Sequence, residues 1–222
     1  MTPVRAPIID LTPSATGPWC VPAVNLDDHL DARHLNMATG DAQASVPIVA
    51  AVAQSGIVSY AEVVSSMSAK SAGPEIRADI DALTEITAAT VQIVGGAQRG
   101  KAMMILNPAD PPIPARFTVY CLVDGMEAGS ADRQRIENDV LDMVAKVRAY
   151  APGYRLKRPV QFETFSAANP LYIPETGKFT GTRVTVLLEV AGPADLDIVA
   201  AAAKFTAEHI AVYRSETARA AT

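Results

Sequence analysis

The stretch Asn36-Met-Ala-Thr-Gly-Asp-Ala-Gln-Ala-Ser-Val-Pro-Ile-Val-Ala-Ala-Val52 decides how the chain is read. Leu35 and Met37 suit a short buried strand, and Thr39-Gly40-Asp41 turns the chain. From Gln43 onward, Val46, Val49, Ala50 and Ala53 fall three or four residues apart, which is helical spacing. A strand–turn–helix junction aims side chains and backbone N–H groups at one point, because the first helical N–H groups have no partner inside the helix. A nucleophile often occupies such a turn. Here the turn residue is Gly40, which has no side chain, and Asp41 follows it.

Outward from this junction the elements mix without strict alternation. Five of the sixteen prolines lie before residue 25, so that region is extended or turning apart from a short strand over Ile8–Leu11. A short helix is expected over residues 25–33, with Asn25 as its N-cap. The β-branched run from Ile57 to Ser65 predicts a strand. A helix is predicted from Glu75 to Val94 and ends at Gly95-Gly96. Strands are predicted at 102–106, 117–123, 154–164 and 183–190, with helices at 132–150 and from Asp195 to about Ser215. Asn107 to Pro114 is too rich in proline for regular structure. The expected class is α+β: a mixed, largely antiparallel sheet with helices on one face.

Composition narrows the function. Apolar residues make up 49% of the 222 positions, enough for a large core, while charged residues at 19% leave room for a covering subunit. The net charge of -5 argues against nucleic-acid binding. No basic-then-apolar leader and no apolar run near ~18 residues is present, so no membrane role is expected. Cys20 and Cys121 read as reduced thiols of a cytoplasmic protein. His29, His34 and His209 are scattered and give no metal spacing.

Several runs keep their order and spacing along the chain: Ile9-Asp-Leu-Thr-Pro13, Gly17-Pro-Trp-Cys-Val-Pro22, Val24-Asn-Leu-Asp-Asp-His-Leu30, Lys70-Ser-Ala-Gly-Pro74, Asn107-Pro-Ala-Asp-Pro-Pro112, Pro152-Gly-Tyr-Arg-Leu-Lys157 and Leu196-Asp-Ile198. Together they resemble acylating acetaldehyde dehydrogenase. The resemblance implies a catalytic and dimerisation domain like that of semialdehyde dehydrogenases, preceded in the family by a Rossmann domain. Residues 1–34 are then read as the end of that domain plus a short helix, and 35–222 as the catalytic/dimerisation-like domain. No G-x-G-x-x-G occurs in the chain, and the truncation is read as natural. The family's nucleophilic cysteine falls at Gly40, its acid/base aspartate at Phe117, and two cofactor-side asparagines at Asp79 and Asp195. A thiolate is needed for acyl transfer and glycine cannot supply it. No cofactor is expected.

The residues and the resemblance together nominate a site. Asp41, Asp79 and Asp195 are expected as acids or bases, and Lys70 as a carboxylate binder or Schiff-base former. Gly40, Gln43, Ser71, Arg77, Phe117 and Asn107 are expected to contact substrate, Phe117 by drying the pocket. The leading expectation is a cofactor-independent, non-redox enzyme acting on a small carbonyl compound by an aldol-type, isomerisation, dehydration or cyclisation step. The alternative is a non-catalytic scaffold or regulator of a partner such as a 4-hydroxy-2-oxoacid aldolase. Each nominated side chain also has a plain structural reading: a cap for Asp41, a packing amide for Gln43, a solvated loop amine for Lys70. A homodimer is expected, since the resemblance places the chain in the dimerising domain.

Overall fold

The computed structural model describes residues 6–13, 16–70, 72–126, 129–173, 177–191 and 196–220. Strand β1 (Ile8–Asp10) is followed by the single-turn helix α1 (Pro22–Asn25) and a 3₁₀ turn over Leu26–His29. Asn25 does not cap a helix there. Its Oδ1 accepts from the Val21 N–H at 2.8 Å and its Nδ2 donates to the Trp19 carbonyl at 2.9 Å, so the side chain closes the turn rather than opening a helix. Strand β2 (His34–Asn36) then pairs in parallel with β1.

Helix α2 (Gly40–Ala53) starts three residues earlier than its apolar spacing predicts. Thr39 is the reason: it holds an extended conformation, and its Oγ1 accepts from the Ala42 N–H at 3.0 Å. Buried side chains surround α2 on every side, from Asp41 through Val49 and on to Val52. Pro47 lies inside it, and its missing N–H leaves the Gln43 carbonyl without the usual i+4 donor.

Strand β3 (Val58–Ser68) leads to α3 (Pro74–Ala78) and α4 (Ile80–Ile93). The single helix predicted from 75 to 94 is therefore two, broken at Asp79, whose ψ of 14° departs from helical geometry. Strands β4 (Gly100–Asn107) and β5 (Ala115–Asp124) flank the proline-rich loop, which contains a cis Asp110–Pro111 bond. Helix α5 (Ser130–Tyr150) precedes β6 (Tyr154–Leu156) and β7 (Gln161–Phe165). One strand is predicted over 154–164, but Pro159 cannot donate to a ladder and splits it. The hairpin β8 (Leu171–Ile173) and β9 (Gly177–Phe179) was not read from the sequence. Strand β10 (Gly181–Val190) and helix α6 (Leu196–Ala220) complete the chain.

The main sheet runs β4-β3-β5-β10-β6, with β7 paired to the other end of β10. Among the described residues of this sheet, the β3–β4 pair alone is parallel. The expected α+β class with a mixed, largely antiparallel sheet is therefore what the chain adopts. Burial alternates along β5: Phe117, Val119 and Cys121 are buried, while Arg116, Thr118 and Tyr120 are half-exposed. The buried face packs beneath α2; on the other face Leu122 is covered by a smaller cluster with Phe165, Ile173 and Phe179, while the part carrying Arg116 and Thr118 stays half-exposed within one chain.

A charge cluster pins the corner of this half-exposed part. Glu189 is 2% exposed and is paired with Arg116, Arg155 and Lys157, the last at 2.8 Å. Hydrogen bonds from Lys157 and Arg155 hold its carboxyl at about 2, well below its usual value. A carboxyl depressed in the folded state adds stability above about pH 4.5 and loses it as pH falls towards 2. Glu189→Gln is expected to lower stability at pH 7 by about 2 kcal/mol. Below pH 3 the difference from the parent should shrink, as read by urea melts at both pH values.

Candidate functional site

The strand–turn–helix junction opens on a cavity of about 480 Å³. Its floor is Ala38, Thr39, Gly40 and Asp41. One wall is Leu11, Thr12 and Pro13; the others are Met67 from β3, Met104 from β4, Ile76 and Leu83 from α3 and α4, and Val199 and Ala200 from α6. Asp79 stands at the rim and is exposed. The size is that of a small-molecule site, and the lining is mainly apolar.

The floor is strained. Ala38 has a φ of 53°, left-handed for a residue with a Cβ. Such a conformation costs about 1–3 kcal/mol and persists where its surroundings impose it. Asn36, fully buried, imposes it: its Oδ1 accepts from the Ala38 N–H at 2.7 Å, and its Nδ2 donates to the Thr12 carbonyl at 3.1 Å. One amide thus fixes both the floor and a wall. Thr39 Oγ1 also lies 2.6 Å from Thr87 Oγ1, tying the turn to α4.

Asp41 is 3% exposed and lines the cavity. Its Oδ2 accepts from Ser65 Oγ at 2.5 Å. Burial pushes its carboxyl up to about 6, against a smaller downward pull from the Ser65 hydroxyl. The group is therefore poised near neutrality, where a carboxyl can take up or give a proton.

The other nominated residues divide sharply. Gly40 and Asp79 join Asp41 at the cavity. Gln43 does not reach it: it is fully buried and its Nε2 donates to the carbonyls of Cys20, at 2.8 Å, and Met37, at 2.7 Å. Phe117 is likewise core, 1% exposed on the helix-facing side of β5 and not part of the lining, so it does not dry the pocket as expected. Lys70 points away into an ion pair with Asp110 at 2.8 Å, with both side chains more than half exposed. Arg77 braces its own loop, donating to the carbonyls of Ala72 and Ala69. Asn107 Oδ1 accepts from the Ala109 N–H at 2.9 Å and stiffens the proline-rich turn. Ser71 and Asp195 lie outside the described residues.

Sequence reasoning missed Ser65, Met67, Met104 and the Leu11–Pro13 wall. Ser65 carried a signal: it occupies an inward position of β3 between buried Val63 and Met67, and a small polar residue there calls for a buried partner. Neither cysteine is poised to act as a nucleophile. Both are unpaired and buried, and burial raises their thiols to about 12, which suppresses the thiolate. Among the described residues no group of three or more His, Cys, Asp or Glu could hold a metal ion, and no helix is long and apolar enough to cross a membrane.

Known proteins give the junction its context. The model of the prokaryotic acetaldehyde dehydrogenase dimerisation family matches residues 40–196, beginning at the turn glycine. The chain belongs to this family. A relative from Mycolicibacterium vanbaalenii, described as a probable inactive acetaldehyde dehydrogenase 1, is 56% identical over 97% of this chain and 70% of its own length. Acetaldehyde dehydrogenase 1/2 of Rhizorhabdus wittichii is 52% identical over 92% of this chain and 66% of its own, and acetaldehyde dehydrogenase 1 of Mycobacterium ulcerans 52% over 96% and 65%. The chain thus spans about two-thirds of the length of these family members.

The raised carboxyl makes a stability prediction of definite sign. Asp41 folds with a pKa of about 6 against 3.8 unperturbed, so the folded state binds the proton more tightly than the unfolded one. Its ionisation therefore opposes folding above pH 6, and this penalty is absent below about 3.8. Asp41→Asn, which keeps an acceptor for Ser65, is expected to melt higher than the parent at pH 8 and to lose that advantage at pH 3.5. Asn36→Ala should instead lower stability at every pH by about 2–3 kcal/mol, because it leaves buried groups unpaired. Thermal melts at the two pH values check both.

Proposed function

We propose that this member of the acetaldehyde dehydrogenase family is a cofactor-independent, non-redox enzyme in which Asp41 is the general base acting on a small carbonyl compound. One observation carries this reading: a nearly fully buried carboxyl, raised to about 6, faces an apolar cavity from the first turn of α2. Above pH 6 the carboxylate takes a proton from the carbon next to the substrate carbonyl. The electron pair moves into the carbonyl, and the resulting enolate oxygen is met by the N–H groups that open α2. Returning the proton elsewhere gives isomerisation, and attack of the enolate carbon on a second carbonyl gives an aldol-type product. Schiff-base formation by Lys70 has no comparable support, since its amine is ion-paired outside the cavity. Acylating oxidation lacks its thiolate.

A direct test follows α-proton exchange of a simple ketone in D₂O by NMR. Exchange should rise as pH increases through about 6 and fall by at least a hundredfold in Asp41→Asn, in keeping with the usual contribution of a positioned base. Undiminished exchange in that variant would exclude Asp41 as the base.

The probable inactive relative favours a second reading, in which the chain is a scaffold or regulator of a 4-hydroxy-2-oxoacid aldolase. Co-sedimentation with such an aldolase that survives Asp41→Asn, together with no exchange by the parent, would favour it. On either reading a second copy covers the open sheet face, where Met103 and Ile105 are 40% and 50% exposed. The family's description as a dimerisation domain supports this assembly. The parent is expected to sediment as a dimer, and a double Met103→Lys, Ile105→Lys variant as a monomer; a dimer in both would place the contact elsewhere.

A further inference from the structure

From the lining of the Asp41 cavity we infer its ligand class: an uncharged carbonyl compound with an unbranched apolar chain of about four or more carbons, with carboxylates and phosphorylated carriers excluded. This rests on the reading of the cavity as a substrate site and adds what the site selects. The first consideration is charge. The described lining contains two acidic side chains, Asp41 and Asp79, and no lysine, arginine or histidine. An anionic head group would meet two carboxyls, one of them buried, and find no cation to pair with. The nearest nominated cations are engaged outside the lining, Lys70 with Asp110 and Arg77 with the carbonyls of Ala69 and Ala72.

The second consideration is the walls. Leu11, Pro13, Met67, Leu83, Met104 and Val199 come from five separate parts of the chain and present carbon and sulfur to the space above Asp41. A two-carbon aldehyde would leave most of 480 Å³ vacant and touch few of them. Each added methylene that leaves water for such walls strengthens binding about fourfold. The two methionines have flexible, polarisable side chains that follow a chain of variable length. Head-group position follows from the floor: the buried polar side chains of the lining, Thr39 and Asp41, lie together there, while Thr12 and Asp79 are exposed at the edge, so a ligand carbonyl is drawn to the floor and its tail points towards the apolar walls.

The experiment is calorimetric titration of the full chain at pH 7.5 with acetone, 2-butanone, 2-pentanone and 2-hexanone, and with hexanoate as the anion of equal length. The expected result is a rise in affinity of about fourfold per methylene, with hexanoate at least tenfold weaker than 2-hexanone. Ala200→Trp should abolish binding of 2-hexanone while leaving the melting temperature unchanged. Asp41→Asn should narrow the gap between hexanoate and 2-hexanone. A flat chain-length series, equal or tighter binding of hexanoate, or no binding by any ketone would each overturn the inference. The outcome is separable from that for catalysis. Chain-length-dependent binding without α-proton exchange refutes Asp41 as a base and leaves the ligand class standing. Exchange with equal or tighter binding of hexanoate does the reverse.

Discussion

Burial of α2 on all sides is the constraint from which the rest of the structure follows. A helix with no solvent face must satisfy every polar side chain it carries from within the protein. Four solutions at alternate positions are visible, with only the Gln43 Oε1 left without a partner among these side chains. Thr39 bonds Thr87 on α4, Asp41 takes the Ser65 hydroxyl from β3, Gln43 holds the carbonyls of Cys20 and Met37, and Ser45 donates to the Asp41 carbonyl at 2.5 Å. Each bond ties the helix to a different part of the chain or to its own backbone. The N-terminal segment and the β3–α4 region are thereby fixed around the same turn, and the cavity is the space left where they fail to meet.

The same constraint sets the chemistry of Asp41. A carboxyl at a helix N-terminus in water would be a routine cap with a low pKa. Here Thr39 already caps the helix, and Asp41 faces inward with a single hydroxyl partner. Desolvation then outweighs the one hydrogen bond, so the group sits near 6 rather than near 4. The neighbouring left-handed Ala38, held by Asn36, shows that the surrounding structure is rigid enough to impose an unfavourable conformation at this point. A rigid, strained floor beside a poised acid is the arrangement expected where geometry serves a ligand.

Much of the architecture was legible because it rests on periodicity. The central stretches of β3, β5 and β10 alternate, and the helices carry apolar spacing or capping residues, so the α+β class follows from the sequence. Failures fall where a local residue overrode the pattern: Thr39 pulled the start of α2 forward, Asp79 broke one helix into two, and Pro159 split a strand. At the site, the turn and Asp41 were readable from the junction itself. Gln43 was not assignable by proximity in sequence, because two positions along a helix turn a side chain by about 200°; Phe117 lies in the core, and Lys70, Arg77 and Asn107 are held by contacts within their own loops. Gln43 lies two positions from Asp41 on α2 and points to the opposite side, towards Cys20. The apolar walls were invisible for the converse reason: Leu11, Met104 and Val199 read as ordinary apolar residues in the sequence until folding brings them to one cavity.

The contrast between what a thiol and a carboxyl can do at such a junction shows why, under the proposed function, a turn without a thiol need not be without a site. A cysteine in the turn would work by covalent attack and would need a thiolate close to the carbonyl carbon. A buried carboxyl acting as a base would work at the neighbouring carbon and form no bond to the substrate. Both uses draw on the same helix N-terminus to meet negative charge on oxygen, a property of the backbone that no side-chain replacement removes. Gly40 leaves that N-terminus open, and Asp41, one residue further on, is held by Ser65 in the wall of the same cavity. Under the proposed function, the element that would position charge is thus independent of the side chain at the turn, and a change at that one position would be enough to redirect what the cavity does.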